Sequence, residues 1–140
     1  MIKNQLVKTA IPIIAIIFFS FILWVIYLAN TGQNSVFFRF IASIPYGDKL
    51  GHFCLFGGLT LVANFAFKLK TRKVASFEIF LGSLLVFCFV VIEEFSQYFI
   101  PNRNFDFIDL SADFIGIAFF TLLTSLVKKQ RLSCANNSRL

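Results

Sequence analysis

The chain has 140 residues, is 58% hydrophobic and only 14% charged, and carries a formal net charge of +6. Soluble domains usually hold about 25% charged residues, and twenty-one phenylalanines find too little interior in so small a domain, whose surface-to-volume ratio is high. The composition therefore excludes an ordinary soluble globule and points to a single integral membrane unit, with no room for a second domain.

In chain order, the first apolar segment runs from Ala10 to Leu28 behind Lys3 and Lys8. It exceeds the roughly 7–15 apolar residues of a secretory leader and is followed by no A-x-A cleavage site, so a retained helix is expected. Residues 29–49 form the longest connection, with Asn30, Gly32, Gln33, Asn34, Pro45 and Gly47 as turn formers. The second segment covers about 50–67 and leads into a tight basic turn, KLKTRK at 68–73. The third covers about 74–91 and continues as a more polar helix to Ile100, where Pro101 ends it. A short turn, 101–106, precedes the fourth segment at about 107–127, and 128–140 reads as a flexible basic tail. Each segment has about the 17–25 residues that cross a hydrocarbon core, and a spanning segment must satisfy its backbone internally. The expectation is an all-α integral membrane four-helix bundle with helices at about 10–28, 50–67, 74–100 and 107–127.

Charge placement sets the expected orientation. Lys3, Lys8, Lys68, Lys70, Arg72, Lys73, Lys128, Lys129, Arg131 and Arg139, ten of the thirteen cationic residues, lie on one side of such a topology. Only Arg39, Lys49 and Arg103 lie on the other. The positive-inside rule then puts both termini in the cytoplasm of a multi-pass plasma or inner membrane protein, and accounts for the basic balance without nucleic acid. Cys54, Cys88 and Cys134 show no disulfide or metal spacing and read as buried apolar filler.

Six of the seven acids collect at the other ends of the helices, with Glu78 the exception. Asp48 and His52 are four apart on the second helix and share a face. Gly51 and Gly58, on nearly the same face, would admit a close neighbour. Gln97 follows Glu93 by four and Glu94 by three, and Asp106, Asp109, Asp113 and Gly116 form one stripe on the fourth helix. A charge at the centre of a span costs about 2.5–3.5 kcal/mol, less near the ends. These groups are therefore expected to converge on one polar pocket between the second, third and fourth helices, leaving the first helix peripheral. Carboxylates crowded in this way cannot all ionise; Lys49, Arg103, a protonated His52 or a divalent metal would offset their charge. As structural glue such groups hold helices together at about 0.6 kcal/mol each, and Asp48 and Asp106 also suit helix capping. As an intramembrane ionisable cluster they mark a functional site.

At DKLGHFCLFGGL (48–59) and EEFSQYFIPNRNFDFIDLSADFIG (93–116) the chain resembles the VanZ-like family of small membrane proteins. Asp48, Lys49 and His52 match its D-K-x-x-H, Glu94 and Gln97 its E-x-x-Q, and Arg103, Asp106, Asp109 and Gly116 its last block. Many members carry Asn at the position of Asp113. The family is named from a protein linked to teicoplanin resistance. The resemblance implies a cell-envelope role and four helices, and supplies no reaction.

Two functions fit these residues. In the first, Asp48, Lys49, His52, Glu93, Glu94, Gln97, Arg103, Asp106, Asp109 and Asp113 line an outward pocket that binds or shields a lipid-linked, glycopeptide or other amphiphilic ligand among membrane lipids. In the second, His52, Glu94 and Asp109 are catalytic acid, base or metal ligands in an enzyme acting on a lipid head group, and Arg103 holds a phosphate or carboxylate. The oxygen-rich set suits Mg, Ca or Mn. Ser96 and Ser111 lie nearby without a partner at nucleophile spacing. The cytoplasmic halves look almost wholly apolar, which argues against a continuous ion path.

Overall fold

A computed structural model describes residues 2–32, 36–101 and 103–137; Gln33, Asn34 and Arg139 lie outside the described residues. Its elements are α1 (Ile2–Asn30), α2 (Val36–Ala42), α3 (Gly47–Ala66), β1 (Thr71–Val74), β2 (Phe77–Phe80), α4 (Leu81–Gln97) and α5 (Phe107–Asn137). Two helical stretches, Thr9–Asn30 and Phe107–Arg131, are long and apolar enough to cross a membrane.

The largest departure from the sequence reading is at 74–80, which was expected to open a helix and instead completes a hairpin. Its strands pair antiparallel, with Lys73 opposite Glu78 and Val74 opposite Phe77. β-Branched and aromatic residues favour a pleated strand, and the Lys–Glu cross-strand pair adds to it. The chain enters the hairpin through a Schellman-type stop at the end of α3. The Leu69 N–H donates to the Asn64 carbonyl and the Lys68 N–H to that of Phe65. Lys68 and Leu69 take the left-handed conformation, each with φ 57°. The expected flexible tail is also corrected: α5 continues to Asn137, because KKQRLSCA holds good helix formers and neither Gly nor Pro to stop it. Lys128 over the Phe80 ring and Arg131 over the Phe65 ring tie this extension to the hairpin end.

α3 is the central helix. His52 meets Asp113, Phe53 meets Gly116, and Asn64 bonds Thr124, so α3 and α5 run parallel. His52 meets Glu94 while Asn64 meets Ser83, so α4 runs antiparallel to both. Ile22, Phe56, Leu59, Val86, Val90 and Ile117 form the core between α1, α3, α4 and α5. α1 lies along one side of the bundle: Ile22, at 1% exposure, enters the core, while Ile13, Ile16, Ile17 and Trp24 face outward, so the helix is peripheral apart from that contact. No charged residue follows Lys8 in α1, so this stretch makes apolar contacts, and its aliphatic face packs on α3. Outward, the bundle presents Ile13, Ile17, Trp24, Leu85, Ile115 and Leu122. Cys54, Cys88 and Cys134 are free and exposed rather than buried, since an apolar run supplies outward as well as inward positions.

The half of the bundle expected to be apolar holds a neutral polar cluster. Asn64 Nδ2 donates to Ser83 Oγ at 2.9 Å, the Ser83 N–H donates to Asn64 Oδ1 at 2.9 Å, and Ser83 Oγ lies 2.8 Å from Thr121 Oγ1. Every partner is satisfied, which suits helix–helix glue. Of the two glycines expected to admit a neighbour, Gly58 lies against α1, where a Cβ would be 3.3 Å from the Phe18 ring, and Gly51 faces none. A Cβ at Gly51 would meet nothing within 4 Å, whereas one at Gly116 would lie 2.5 Å from the Phe53 carbonyl oxygen and one at Gly57 would strike the Phe120 ring. Gly116→Ala is expected to cost about 1–3 kcal/mol, the usual penalty of overpacking, and Gly51→Ala to be neutral or stabilising by up to about 1 kcal/mol. Unfolding of the purified proteins in detergent, followed by helical circular dichroism, checks both.

Candidate functional site

The parallel run of α3 beside α5 stacks two groups of polar side chains. Near the start of both helices, Lys49 Nζ lies 2.7 Å from Asp48, 2.9 Å from Asp106 and 2.6 Å from Asp109. One ammonium with three donors thus serves three carboxylates. Asp106 is also the N-cap of α5, its Oδ1 accepting the Ile108 N–H at 2.8 Å. Asp48 was expected to cap α3, but that helix begins after Tyr46 with no side-chain cap, and Asp48 turns to Lys49 instead. The Lys49 ammonium beside it, with help from the Ile108 N–H, holds the Asp106 carboxyl below its ordinary range.

One turn further along α3, His52 Nδ1 lies 3.1 and 3.3 Å from the two oxygens of Asp113 and 3.6 Å from Glu94 Oε1. Asp113 and Glu94 are fully buried, and neither Glu94 oxygen has a hydrogen-bond partner. At the end of α4, Gln97 Nε2 donates to Glu93 Oε2 at 2.9 Å, and Arg103 Nη2 approaches Glu93 Oε1 at 3.8 Å. All ten residues singled out in the sequence therefore gather at one end of the molecule, in three linked sets centred on Lys49, His52 and Glu93.

A pocket of about 610 Å³ opens beside them. Asp48, His52, Glu93, Gln97, Arg103 and Asp109 supply its polar wall, while Ile22, Val25, Ile26 and Ala29 of α1 supply an aliphatic wall. Phe38 and Ile41 of α2 contribute at the rim. The α1 and α2 contributions were missed from the sequence. An apolar wall looks like any other apolar stretch, and the amphiphilic VFFRFIA segment was the available signal. Ser96 and Ser111 are engaged with their own helices, donating to the Glu93 and Phe107 carbonyls at 2.6 and 2.7 Å, and form no nucleophile–base pair.

Compared with known proteins, the chain is 35% identical over 96 residues to a protein of Schizosaccharomyces pombe described as uncharacterized. The match covers 64% of this chain and 53% of that protein, so the chain spans about half the length of this relative. No protein-family profile matches the chain, and no solved structure does.

Removing the Lys49 ammonium leaves three carboxylates facing one another. Lys49→Met is expected to cost about 1–3 kcal/mol, most of it from the partly buried Asp109 losing its cation, read from unfolding at neutral pH. Asp106 has a depressed folded pKa, so its contribution is complete above the ordinary carboxylate range and is lost as pH falls through the lowered folded value. Asp106→Asn should therefore flatten the acid limb of a thermal-stability profile below about pH 4; the effect is small because the group is exposed.

Proposed function

We propose that this chain is a multi-pass protein of the cell envelope, with α1, α3, α4 and α5 as four spans, both termini cytoplasmic, and a pocket that holds the head group of an amphiphilic or lipid-linked ligand. The observation that carries the reading is the pocket's division into an aliphatic wall from α1 and a charged wall from α3, α4 and residues 103–109. A ligand with an apolar tail and a polar head fits both walls at once, and small-molecule sites combine apolar lining with a few placed polar groups in this way. The four-span reading is supported by α3 and α4, with 20 and 17 residues, about 30 and 25 Å at 1.5 Å per residue. It is supported also by the large hydrophobic side chains around the bundle exterior and by the cationic residues gathered at the end opposite the pocket.

A second reading, an enzyme acting on a lipid head group, is favoured by His52: it lines the pocket while Asp113 holds Nδ1, an arrangement that fixes an imidazole for proton transfer.

Native mass spectrometry of the full chain extracted from membranes is expected to retain a bound amphiphile. Ile26→Trp, which fills the aliphatic wall, and the double variant Glu94→Ala/Asp109→Ala should each lower its occupancy at least tenfold. Unchanged occupancy in both removes the pocket as the binding site. Turnover of a lipid by the purified protein, abolished in His52→Gln, would select the enzyme reading. In a chain stripped of its native cysteines, Arg103→Cys should label from outside the cell and Lys70→Cys only after permeabilisation; the reverse pattern overturns the orientation.

A further inference from the structure

The charges around Lys49 and those around His52 are balanced very differently. Lys49 and Arg103, the two permanent cations of the site, lie against Asp48, Asp106, Asp109 and Glu93. The inner set of His52, Glu94 and Asp113 has no permanent cation of its own. A simple His52–Asp113 hydrogen bond accounts for two of these side chains and leaves the third unexplained. Glu94 is 0% exposed with both carboxyl oxygens lacking a hydrogen-bond donor, and an unsatisfied buried polar group is costly.

We infer that His52, Glu94 and Asp113 form the binding site of one divalent transition-metal ion, with His52 at its pocket-facing side. One ligand atom from each residue lies within 4.8 Å of the others. Metal–nitrogen and metal–oxygen bonds run about 2.0–2.2 Å. Two ligands on one ion are then about 3.0 Å apart at a right angle and about 3.4 Å apart at a tetrahedral angle. His52 Nδ1 stands 3.1 Å from Asp113 Oδ1 and 3.6 Å from Glu94 Oε1, so the two edges that meet at His52 are already near those of a coordination polyhedron. A small inward movement of Glu94 completes it and gives its oxygens the partner they lack.

The donor set selects the class of metal. One imidazole and two carboxylates, with no thiolate, suit Zn²⁺, Fe²⁺ or Mn²⁺, whereas Mg²⁺ and Ca²⁺ favour oxygen alone. The sequence expectation of Mg, Ca or Mn is shifted because the oxygens of the outer set are already held by Lys49 and are not shared with His52. Three protein ligands leave coordination positions free, as in sites where a metal also meets a bound molecule. The site rests on the proposed pocket only for access, and the ion's binding can be measured with no amphiphile present.

The test is metal content and affinity of the full chain in detergent, equilibrated with Zn²⁺, Mn²⁺ or anaerobic Fe²⁺ and with Mg²⁺ as comparison, read by inductively coupled plasma mass spectrometry. Wild-type protein should hold about one transition-metal ion per chain after gel filtration. Glu94→Gln and Asp113→Asn should each weaken it at least tenfold, the scale on which even outer-shell partners act, and Asp48→Asn should leave it unchanged. Substoichiometric metal in the wild type, or wild-type affinity in Glu94→Gln, overturns the site. The unmutated protein gives a reading that no folding defect can obscure: Zn²⁺ or Mn²⁺ should raise its Tm where Mg²⁺ does not, and equal shifts from all three overturn the proposal. Metal bound without amphiphile, or amphiphile bound without metal, separates this site from the proposed function.

Discussion

The arrangement of the polar groups depends on the close approach of α3 and α5. With no side chain at Gly116 or Gly57, the α5 backbone comes against Phe53 and the Phe120 ring seats on α3. That spacing lets short side chains bridge the two helices. Asp113 reaches His52 and Asp109 reaches Lys49, although an aspartate extends only two bonds beyond its Cα before branching into oxygens. A wider crossing would leave both carboxylates short of their partners. Further along the same interface, the Asn64–Thr124 bond and the Asn64–Ser83 bonds hold α3 to α5 and to α4, so the register is fixed at both ends. Burial of Glu94 and Asp113 is tolerable only because that register is fixed.

The pocket takes its shape from two kinds of packing. Its charged side follows from the α3–α5 crossing and from the end of α4, where Gln97 and Arg103 engage Glu93. Its aliphatic side follows from α1, which packs on α3 through Ile22 while Val25, Ile26 and Ala29 line the opening. The two sides come from elements distant in the chain and impose opposite preferences on whatever occupies the space.

The charged side was readable in the sequence because helical spacing places residues on faces before any partner is known. Asp48 and His52 at i and i+4, and Asp106, Asp109 and Asp113 at i, i+3 and i+7, each define a face, and the cost of turning an acid into an apolar surrounding requires those faces to meet. Spacing along one helix does not state the pairing between helices. The division of Asp106 and Asp109 to Lys49 and of Asp113 to His52 therefore emerged only from the fold. The hairpin was hidden because Val74, Phe77, Ile79 and Phe80 suit an apolar helix as readily as a strand. Gly51 and Gly58 share a face, but spacing alone does not say which glycine meets a neighbour: Gly58 lies against Phe18 of α1, and the α3–α5 contact falls to Gly57. Asn64, Ser83 and Thr124 leave no sequence signal of this kind, because neutral polar groups that satisfy each other impose no charge cost to be resolved.

Charge constrains what such a pocket can hold. Six carboxyl groups gather around it against two permanent cations and one histidine, so an anionic head group entering alone would meet repulsion from Asp109 and Glu93, with Arg103 the nearest attraction. A cation at the inner set changes that balance. Held by His52, Glu94 and Asp113, it would cancel the charge that Lys49 and Arg103 do not reach and so weaken the repulsion that an anionic head group meets, while the α1 wall takes the tail. The ligand reading and the metal reading are thereby coupled through electrostatics and share His52 and Glu94. The Glu94 carboxyl, buried without a protein donor, then has a physical reason for its place: a cation is the partner it most favours.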